Sequence, residues 1–440
     1  MVLRSLKQFI DRALNHQGFR RYLTNTSWMF AEQILRLAAG LFVGIWVARY
    51  LGPAQYGIFS YALAFAAIFG SIAKLGLDGF VVIALVREPQ KRDSYLGTVF
   101  WLKLGGATIA IAATAIALLF VANDKITNLY ILIIASGAIF QSFEVVDFYF
   151  QAKVLSKFIS LCKLVQLLLS SGLKIYLVIV GADLVDFVLI SLVDQAALAL
   201  TFLIAYRSQV AGGFFRCFDW GLGKDLLKRS WPVVLSGFAL MVQARIDQVM
   251  LKQFAGNAEL GYYTSALRLI EVFSFIPVLL TNSLFPAIVN AKARSMELFR
   301  ARLFNLYRLM ALLFLLVIIP VYFFGNQLVL VLYKDAYAPA GQLISLMAVR
   351  LFFTNYGVVR GAYLMNENMM SFSLLTMVVG MLVNVGLNFL WIPTYHSMGA
   401  IGATIVSFFV TTFLLDALYP RTRGNCLSML RSMLLLREKG

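Results

Sequence analysis

The sequence predicts an all-α polytopic membrane protein. We expect twelve transmembrane helices in two six-helix lobes, related by a pseudo-two-fold axis along the membrane normal. Three observations support this fold class. The 440 residues are 61% hydrophobic and 13% charged, with a mean hydropathy of +0.81, whereas soluble domains carry about 25% charged residues. Apolar runs of roughly 20 residues or more, enough to cross a bilayer, follow one another along the chain. A motif near the N-terminus returns in the second half.

Polar breaks between the apolar runs define the predicted spans. In order, the spans are 24–48, 57–86, 95–121, 127–152, 158–180, 184–206, 230–254, 259–290, 305–332, 339–364, 370–392 and 398–419. They leave no room for a separate soluble domain. We predict an N-terminal lobe at 1–215, with a polar arm and six spans, and a C-terminal lobe at 216–440, with six spans and a basic tail.

The basic residues predict the orientation in the membrane. Lys and Arg collect in the N-terminal arm, in the loops after even-numbered spans and in the tail, while the opposite loops hold Arg49, Lys125 and Lys334. Cytoplasmic loops of membrane proteins carry such an excess, so both termini are expected in the cytoplasm. The inner loop at 366–368 is an exception, because it has no basic residue. The tail at 427–439 either forms a surface helix or frays.

The same distribution explains the net charge of +17 without a nucleic-acid partner. Cys162, Cys217 and Cys426 form no CxxC pattern, and His16 and His396 are too far apart in sequence to indicate a metal site. We therefore expect no cofactor beyond a coupling H⁺ or Na⁺. The polar and basic N-terminal segment predicts no cleavable signal peptide.

The repeated motif lies at the turn between the first two spans of each predicted lobe. YLGPAQYGIFSYAL at 50–63 aligns with FAGNAELGYYTSAL at 254–267, so that Gly52 matches Gly256 and Gly57 matches Gly261. Trp28 precedes one copy as Trp231 precedes the other. Both copies start on the predicted cytoplasmic side, which indicates a parallel repeat like that of transporters built from two six-helix halves.

Charged residues concentrate in spans 1, 2, 7 and 8, where a charge costs a few kcal/mol unless it faces the helix bundle or water. Glu32 with Arg36 and Lys74 with Asp78 are spaced i,i+4, and Arg268 with Glu271 is spaced i,i+3. Such pairs can neutralise each other along one helix face, or they can contact a substrate or an ion. The sequence leaves both readings open.

Other charges in the spans have no obvious partner. Arg245 and Asp247 are two residues apart and point to different faces of a helix, so each needs a partner elsewhere. Arg350 has no acidic neighbour at helical spacing and is expected to line a cavity or to pair with Asp194 or Glu144. Arg360 and Lys174 lie nearer the span ends, where a long side chain can reach the interface. Three prolines within spans predict kinks or packing bends: Pro277, Pro286 and Pro320.

These motifs resemble those of the oligosaccharide flippases of the polysaccharide-transporter family, which handle O-antigen and capsule repeat units. This family belongs to the multidrug/oligosaccharidyl-lipid/polysaccharide exporter superfamily. The matching stretches are VARYLGPAQYG at 47–57, GLD at 76–78, DFYFQAKVLSK at 147–157, RIDQVML at 245–251, LGYYTSALRLIE at 260–271 and SLFPAIV at 283–289. They extend over the first eight spans, and the last four carry no recognisable motif.

The resemblance implies a multi-pass protein of the bacterial inner membrane that turns an undecaprenyl-diphosphate-linked glycan from the cytoplasmic to the periplasmic leaflet by ion-coupled antiport. Lipid II flippases resemble it too, but they place an Arg–Asp pair where this chain has Val43–Gly44, which argues against lipid II. The implied partners are the lipid-linked oligosaccharide and membrane lipid, together with the glycan polymerase and chain-length machinery; we expect a monomer.

Arginine suits a diphosphate because its guanidinium makes two parallel hydrogen bonds. The predicted substrate-binding residues are Arg36, Lys74, Arg245, Arg268 and Arg350. The predicted ion-coupling residues are Asp78, Asp247 and Glu271. The alternatives are a lipid II or multidrug exporter of the same superfamily and, from another class, a polytopic glycan polymerase or acyltransferase. Short predicted outer loops and the lack of a histidine constellation argue against an enzyme.

Overall fold

The computed structural model describes residues 17–210 and 212–433, and it contains no β-strand within them. Fifteen α-helices follow one another: α1 Gln17–Ala73, α2 Asp78–Arg87, α3 Arg92–Leu118, α4 Lys125–Ser136, α5 Val145–Ala152, α6 Ser156–Val180, α7 Leu184–Gln209, α8 Trp220–Ala255, α9 Asn257–Glu271, α10 Phe275–Arg294, α11 Met296–Tyr333, α12 Ala338–Asn366, α13 Met370–Phe409, α14 Leu415–Leu418 and α15 Arg423–Met433. The prediction of an all-α polytopic membrane protein is confirmed.

Ten helical segments within the described residues are long and apolar enough to cross a membrane. Two of them, Phe30–Arg87 with 58 residues and Met370–Leu418 with 49 residues, are each long enough for two crossings. The backbone leaves the helical region inside both, at Gly52 (φ 71°, ψ 169°) and at His396 (φ 50°, ψ −128°). Counting two crossings for each is consistent with the twelve predicted spans.

Several spans are interrupted where the sequence predicted continuous helix. A 3₁₀ stretch at Gly137–Glu144 joins α4 to α5, and another at Val272–Ser274 joins α9 to α10 just before Pro277. A π-helical turn at Val410–Leu414 follows α13. Pro286 and Pro320, in contrast, lie inside α10 and α11. Short 3₁₀ and π segments inside membrane helices often mark hinges or functional positions.

The second span is broken between α1 and α2. Leu75 (φ 54°) and Gly76 (φ 57°) are left-handed, and α2 begins at Asp78. Gly76 sits so close to Val233 that an added Cβ would lie 2.8 Å from its side chain. Lys74 and Asp78 therefore do not share a continuous helix, so their i,i+4 spacing does not place them on one helix face.

The described chain divides into two compact units, which do not follow the chain order strictly. The first unit comprises the described residues up to Gly44 together with Phe69–Val121 and Asn128–Val234. The second comprises Ile45–Ile68, Ala122–Thr127 and the described residues from Leu235 onwards. The predicted division into lobes at 215/216 and their pseudo-two-fold remain predictions.

Aromatic side chains fill one end of the first unit. The ring of Phe100 in α3 contacts those of Phe143, Phe214 and Phe215 at centroid distances of 5.0–5.9 Å. A Cβ on Gly97 would overlap the carbonyl oxygen of Phe214, so glycine lets the segment before α8 approach α3. These contacts bury the connection between α7 and α8 against the first unit.

In the second unit, α15 packs on the helix bundle through its buried face. Asn425 accepts a hydrogen bond from Tyr307 (3.1 Å), and Ser432 is within 2.9 Å of the Tyr356 hydroxyl. The described part of the tail is therefore a docked helix; residues 434–440 lie outside the described range. Lys292, near the end of α10, forms an ion pair with Glu367 (2.7 Å). A lysine from another part of the chain therefore balances the charge of the loop that has no basic residue.

Candidate functional site

The most deeply buried carboxylate of the predicted set is Asp247 in α8, which is 0% exposed. The hydroxyl of Tyr263 in α9 donates to its Oδ2, and Nη1 of Arg350 in α12 lies 3.6 Å from the same oxygen. Arg350 also donates to the Tyr263 hydroxyl (3.0 Å). A buried charge needs a counter-ion and hydrogen bonds, and two neighbouring helices, α9 and α12, supply them here.

This geometry corrects the partners predicted for Arg350. Its partner is Asp247, whereas Asp194 pairs with Lys174 (2.8 Å) and Glu144 pairs with Lys103 (2.7 Å). It also shows how Arg245 and Asp247, which point to different faces of α8, each find a partner. Asp247 pairs with Arg350 of α12. Sequence spacing could not reveal a pairing between residues a hundred positions apart.

Polar side chains from the last two spans complete the surroundings of Asp247. The Thr404 hydroxyl lies 3.5 Å from its Oδ2, Asn384 donates to Thr404 (3.4 Å), and Asn388 donates to Asn384 (3.0 Å). All three are 0% exposed, and Oδ1 of Asn388 has no hydrogen-bond partner among the residues that the structure describes. Clustered carboxylate, amide and hydroxyl oxygens suit a hard cation or a proton.

These three residues are not among the site residues predicted from the sequence. The signal was present as two asparagines spaced i,i+4 within an apolar span, and a polar residue inside a membrane span is by default a functional candidate. A second set continues along the same helices, where Gln243 donates to Ser407 (2.7 Å) and Ser407 donates to the carbonyl of Gly380 (2.8 Å).

Arg360 is a second buried cation in α12. Its guanidinium donates to Oδ1 of Asp416 at 2.9 and 2.7 Å and to Thr376 at 3.3 Å. Asp416 is 0% exposed. The expectation that Arg360 extends to the membrane interface is therefore wrong, because Asp416 from the last span pairs with it inside the protein.

Arg245 and Arg268 lie in the two different helices of the second predicted hairpin, Arg245 in α8 and Arg268 in α9. Arg268 donates to the hydroxyl of Tyr56 (3.4 Å). Glu271 forms an ion pair with Arg245 in α8 (3.3 Å). Glu271 is therefore tied to a second helix, beyond the i,i+3 pairing with Arg268 that the sequence allows.

In the first unit, the predicted pair of Glu32 and Arg36 is present at 2.6 Å. Arg36 also donates to the carbonyl of Lys163 (3.2 Å) and to Gln166 (3.4 Å) in α6. The pair therefore ties α1 to α6, and its neutralising role and a substrate contact are both compatible with this geometry.

A network of further ion pairs in the first unit escaped the sequence analysis. Lys103 in α3 is 1% exposed, reaches Glu144 at 2.7 Å and lies 5.1 Å from the ring centre of Phe148. Lys163 pairs with Asp147 at 3.1 Å. Lys103 stands alone among apolar residues in the sequence, so its partner is identified only by the packing of α3 against the 3₁₀ stretch that ends at Glu144.

Lys74 and Asp78 remain exposed on the stretch that joins α1 to α2. Glu271 is exposed as well, at 44% of its side chain, beside the 32% exposed Arg245. Charged groups on membrane-depth helices avoid lipid because of the cost of desolvation. Accessible charges at these positions therefore indicate contact with water. Within the described residues, no group of three or more His, Cys, Asp or Glu could hold a metal ion.

Comparison with known proteins places these residues in a family context. A family model described as "Polysaccharide biosynthesis protein" matches residues 22–292, more than half of the 440-residue chain. No curated protein matches the sequence.

Solved structures share the fold. An inward-facing multidrug resistance MATE family transporter of the MOP superfamily aligns with a TM-score of 0.70 and 17% identity, over 90% of this chain and 96% of that chain. A MOP superfamily transporter from Pyrococcus furiosus aligns with a TM-score of 0.57 and 18% identity, over 94% and 93%. The lipid II flippase MurJ, in an inward closed conformation, aligns with a TM-score of 0.53 and 13% identity, over 94% and 90%. At these identities the likeness concerns the fold alone.

Proposed function

Because the chain belongs to the polysaccharide biosynthesis protein family, we propose that it is a transporter that flips undecaprenyl-diphosphate-linked oligosaccharide repeat units across the bacterial inner membrane. The units move from the cytoplasmic to the periplasmic leaflet by alternating access. The MATE and MurJ structures that share its fold are a multidrug transporter and a lipid flippase, which supports transport rather than enzymatic chemistry.

The observation that carries this proposal is the set of accessible charges on membrane-depth helices, namely Lys74, Asp78, Arg245 and Glu271. A protein that only anchors or organises a membrane complex does not require solvent-accessible charged side chains within its spans. A sugar headgroup, in contrast, must cross the membrane depth in contact with polar groups, since each unpaired hydroxyl costs free energy in hydrocarbon.

Arg268 is the strongest candidate to contact the diphosphate. It is half-buried and donates a hydrogen bond to a tyrosine hydroxyl, and its guanidinium has the geometry to form two parallel hydrogen bonds with a phosphate. Arg245, Arg36 and Lys74 are the further substrate contacts. Arg350 takes a different role in this proposal: it is engaged by Asp247 and Tyr263 and sets the state of the buried carboxylate.

Coupling to H⁺ or Na⁺ is assigned to Asp247. Asn384, Asn388 and Thr404 supply further oxygens around it. Binding a cation there would release Arg350 from its 3.6 Å contact, which links ion binding to the packing of α8 against α12. Asp78 and Glu271 remain secondary coupling candidates because they are exposed. The glycan polymerase and chain-length machinery as partners, and a monomeric state, also remain predictions.

The experiment that tests the proposal is extraction of lipid-linked intermediates from a strain lacking this protein. We expect undecaprenyl-diphosphate repeat units to accumulate on the cytoplasmic side and the surface glycan to disappear. Arg268→Ala should reproduce this phenotype with normal protein levels, whereas Arg87→Ala, at an exposed helix end, should export normally. Normal export by the deletion strain, or by Arg268→Ala, would refute the substrate assignment.

Ion coupling is tested in proteoliposomes that contain the protein and the extracted lipid-linked glycan. Wild-type flipping should respond to an imposed H⁺ or Na⁺ gradient, and the responsive ion identifies the coupling ion. Asp247→Asn keeps the hydrogen-bonding shape but removes the charge, so flipping by this variant should no longer respond to the gradient. An undiminished response would place the coupling site elsewhere.

A second candidate function is export of drugs or of lipid II, which the 0.70 TM-score to a multidrug MATE transporter favours as a fold argument. Growth of a strain depleted of its lipid II flippase, rescued by this chain, would support the lipid II alternative. Normal glycan intermediates together with drug sensitivity in the deletion strain would support the multidrug one.

A further inference from the structure

The two copies of the repeated motif have the same unusual backbone at their turns. Gly52 has φ 71° and ψ 169°, and Gly256 has φ 90° and ψ 178°. Residues with a side chain rarely adopt this backbone conformation, which is essentially restricted to glycine. A helix begins directly after each turn, so the aligned sequences at 50–63 and 254–267 correspond in three dimensions as well.

The helices that follow the two turns contact each other reciprocally. A Cβ on Gly57 would overlap the carbonyl oxygen of Asn257 and lie 3.1 Å from the backbone nitrogen of Gly261. A Cβ on Gly261 would overlap the carbonyl oxygen of Pro53. In the aligned motifs Gly57 corresponds to Gly261 and Pro53 to Asn257, so each repeat presents the same glycine to the same position of the other.

Asn123, in the loop between α3 and α4, gathers hydrogen bonds beside this contact. Its Oδ1 accepts from Nζ of Lys252 (2.6 Å) and from Nε2 of Gln253 (3.0 Å), both at the end of α8. The Tyr61 hydroxyl lies 3.0 Å from its Nδ2 and accepts from Gln253 (3.1 Å). Lys252 also lies 4.9 Å from the ring centre of Tyr61. Three separate stretches of chain therefore meet at one amide.

The extent of the second compact unit agrees with this description. The segments Ile45–Ile68 and Ala122–Thr127 belong to it together with the residues from Leu235 onwards. These two segments are the ones that supply Gly57, Tyr61 and Asn123. The rest of the chain between Phe69 and Val234 belongs to the first unit. Packing across these contacts is therefore dense enough to group the two segments with residues far away in sequence.

From these contacts we propose an outer latch, formed by Gly57, Gly261, Asn123, Lys252 and Gln253, that closes the predicted extracytoplasmic end and opens once in each transport cycle. The inference rests on the proposed flippase function for the meaning of that cycle. The sequence places the turns at 52 and 256 and the loop at 122–127 on the same predicted side of the membrane, opposite the basic loops.

The chemistry of the latch suits repeated opening. Glycine-to-backbone contacts allow two helices to approach closely without interlocking side chains that would have to be pulled apart. The Asn123 hydrogen bonds are exchangeable for water, because Lys252, Gln253 and Asn123 are only half-buried. In the same loop, hydrogen bonds from Thr127 hold the pKa of Asp124 below its usual range, so a fixed negative charge caps α4 next to the latch.

The test measures access to a cysteine beneath the latch. Cys162, Cys217 and Cys426 are first replaced by serine, and Ser265, which is 0% exposed and one turn beyond Gly261, is changed to cysteine. Intact cells are treated with a membrane-impermeant methanethiosulfonate reagent. In the Gly57→Ala variant the added methyl group cannot coexist with the closed contact, so labelling of the cysteine should accelerate about fivefold or more.

Gly70→Ala is the matched control, because a Cβ at Gly70 in the same helix meets nothing within 4 Å. Equal labelling in Gly57→Ala and Gly70→Ala would overturn the latch. If Gly57→Ala fails to reach the membrane, Asn123→Ala tests the same latch against Lys125→Ala, its exposed neighbour. Faster labelling in Asn123→Ala alone supports the latch, and no difference between the two overturns it.

Labelling requires no lipid-linked glycan, so the two proposals fail separately. Unchanged labelling would remove the latch and leave the glycan-accumulation experiment unaffected. Normal glycan export in the deletion strain would remove the flippase assignment, while accelerated labelling in Gly57→Ala would still show that this contact opens.

Discussion

Buried ion pairs are the main chemical feature of this protein at the scale of single residues. Arg350 with Asp247 and Arg360 with Asp416 both join α12 to another helix of the second unit, and both carboxylates are 0% exposed. Removing one member of such a pair leaves an uncompensated buried charge, which costs about 3–5 kcal/mol. Removing both members is far cheaper, so the pair specifies the packing of helices more than it stabilises it.

We expect Arg350→Met to lower the free energy of unfolding by about 3–5 kcal/mol, because the Asp247 carboxylate loses its counter-ion in a dry environment. The double variant Arg350→Met with Asp247→Asn should regain most of that loss. Unfolding in detergent, followed by circular dichroism during titration with sodium dodecyl sulfate, measures both. Arg87→Met, at an exposed position, should change the stability by no more than about 0.5 kcal/mol. A double variant as unstable as the single one would show that the two residues are not coupled.

The turns between spans decide the arrangement at the scale of helices. Gly52 and Gly256 occupy backbone conformations that favour glycine, whereas the corresponding break in α13 uses His396 (φ 50°, ψ −128°). The carboxylate of Glu259 accepts a hydrogen bond from the backbone nitrogen of Ser397 (3.2 Å) and so holds this strained turn. The α13 turn is therefore held by a side chain of α9.

His396→Gly should stabilise the protein by about 1 kcal/mol, because glycine adopts this backbone conformation without the strain that a side chain incurs. The same denaturant titration measures the change. Gly402→Ala, in the helix that follows, serves as a comparison in which an added Cβ meets only the Trp391 ring at 3.3 Å. A destabilised His396→Gly would mean that the histidine side chain makes a contact worth more than the strain.

At the scale of the whole molecule, many charges of the spans are paired with an opposite charge, and most basic residues of the loops lie on one predicted side. Within the first unit, Lys103 and Lys163 are each matched by a carboxylate, as Arg245 is in the second. Pairing keeps the cost of intramembrane charges low. The basic residues of the loops are expected to set the orientation.

Reporter fusions test that orientation. Alkaline phosphatase, which is active only outside the cytoplasm, should be active when fused after residue 123 or 334 and inactive after residue 154 or 420, since only the former loops lack the basic excess. A cytoplasm-active reporter at the same positions provides the complementary control. Activity of the phosphatase after residue 420 would contradict the cytoplasmic placement of the C-terminus.

Much of the fold follows from the sequence, because hydropathy and turn residues are local properties. The apolar runs predict the all-α polytopic class, the matched motifs at 50–63 and 254–267 predict two equivalent turns, and Asp247 stands out as a carboxylate in a span with no partner on its own helix face. The pair of Glu32 and Arg36 could also be predicted from the sequence, because residues four positions apart lie on the same face of a helix.

The partners of the other charges were decided only by the tertiary structure. Three ion pairs form because separate segments pack together: Arg350 with Asp247, Glu271 with Arg245, and Lys103 with Glu144. A single sequence does not indicate which segments pack against each other. Helical spacing predicted that Lys74 and Asp78 would pair, but two left-handed residues break the helix between them. The sequence alone thus determines which segments enter the membrane and which of them carry charge, since transfer into lipid depends on each segment's own composition. Helix packing decides which opposite charge each charged residue pairs with, since a buried ion pairs with the nearest counter-ion in space.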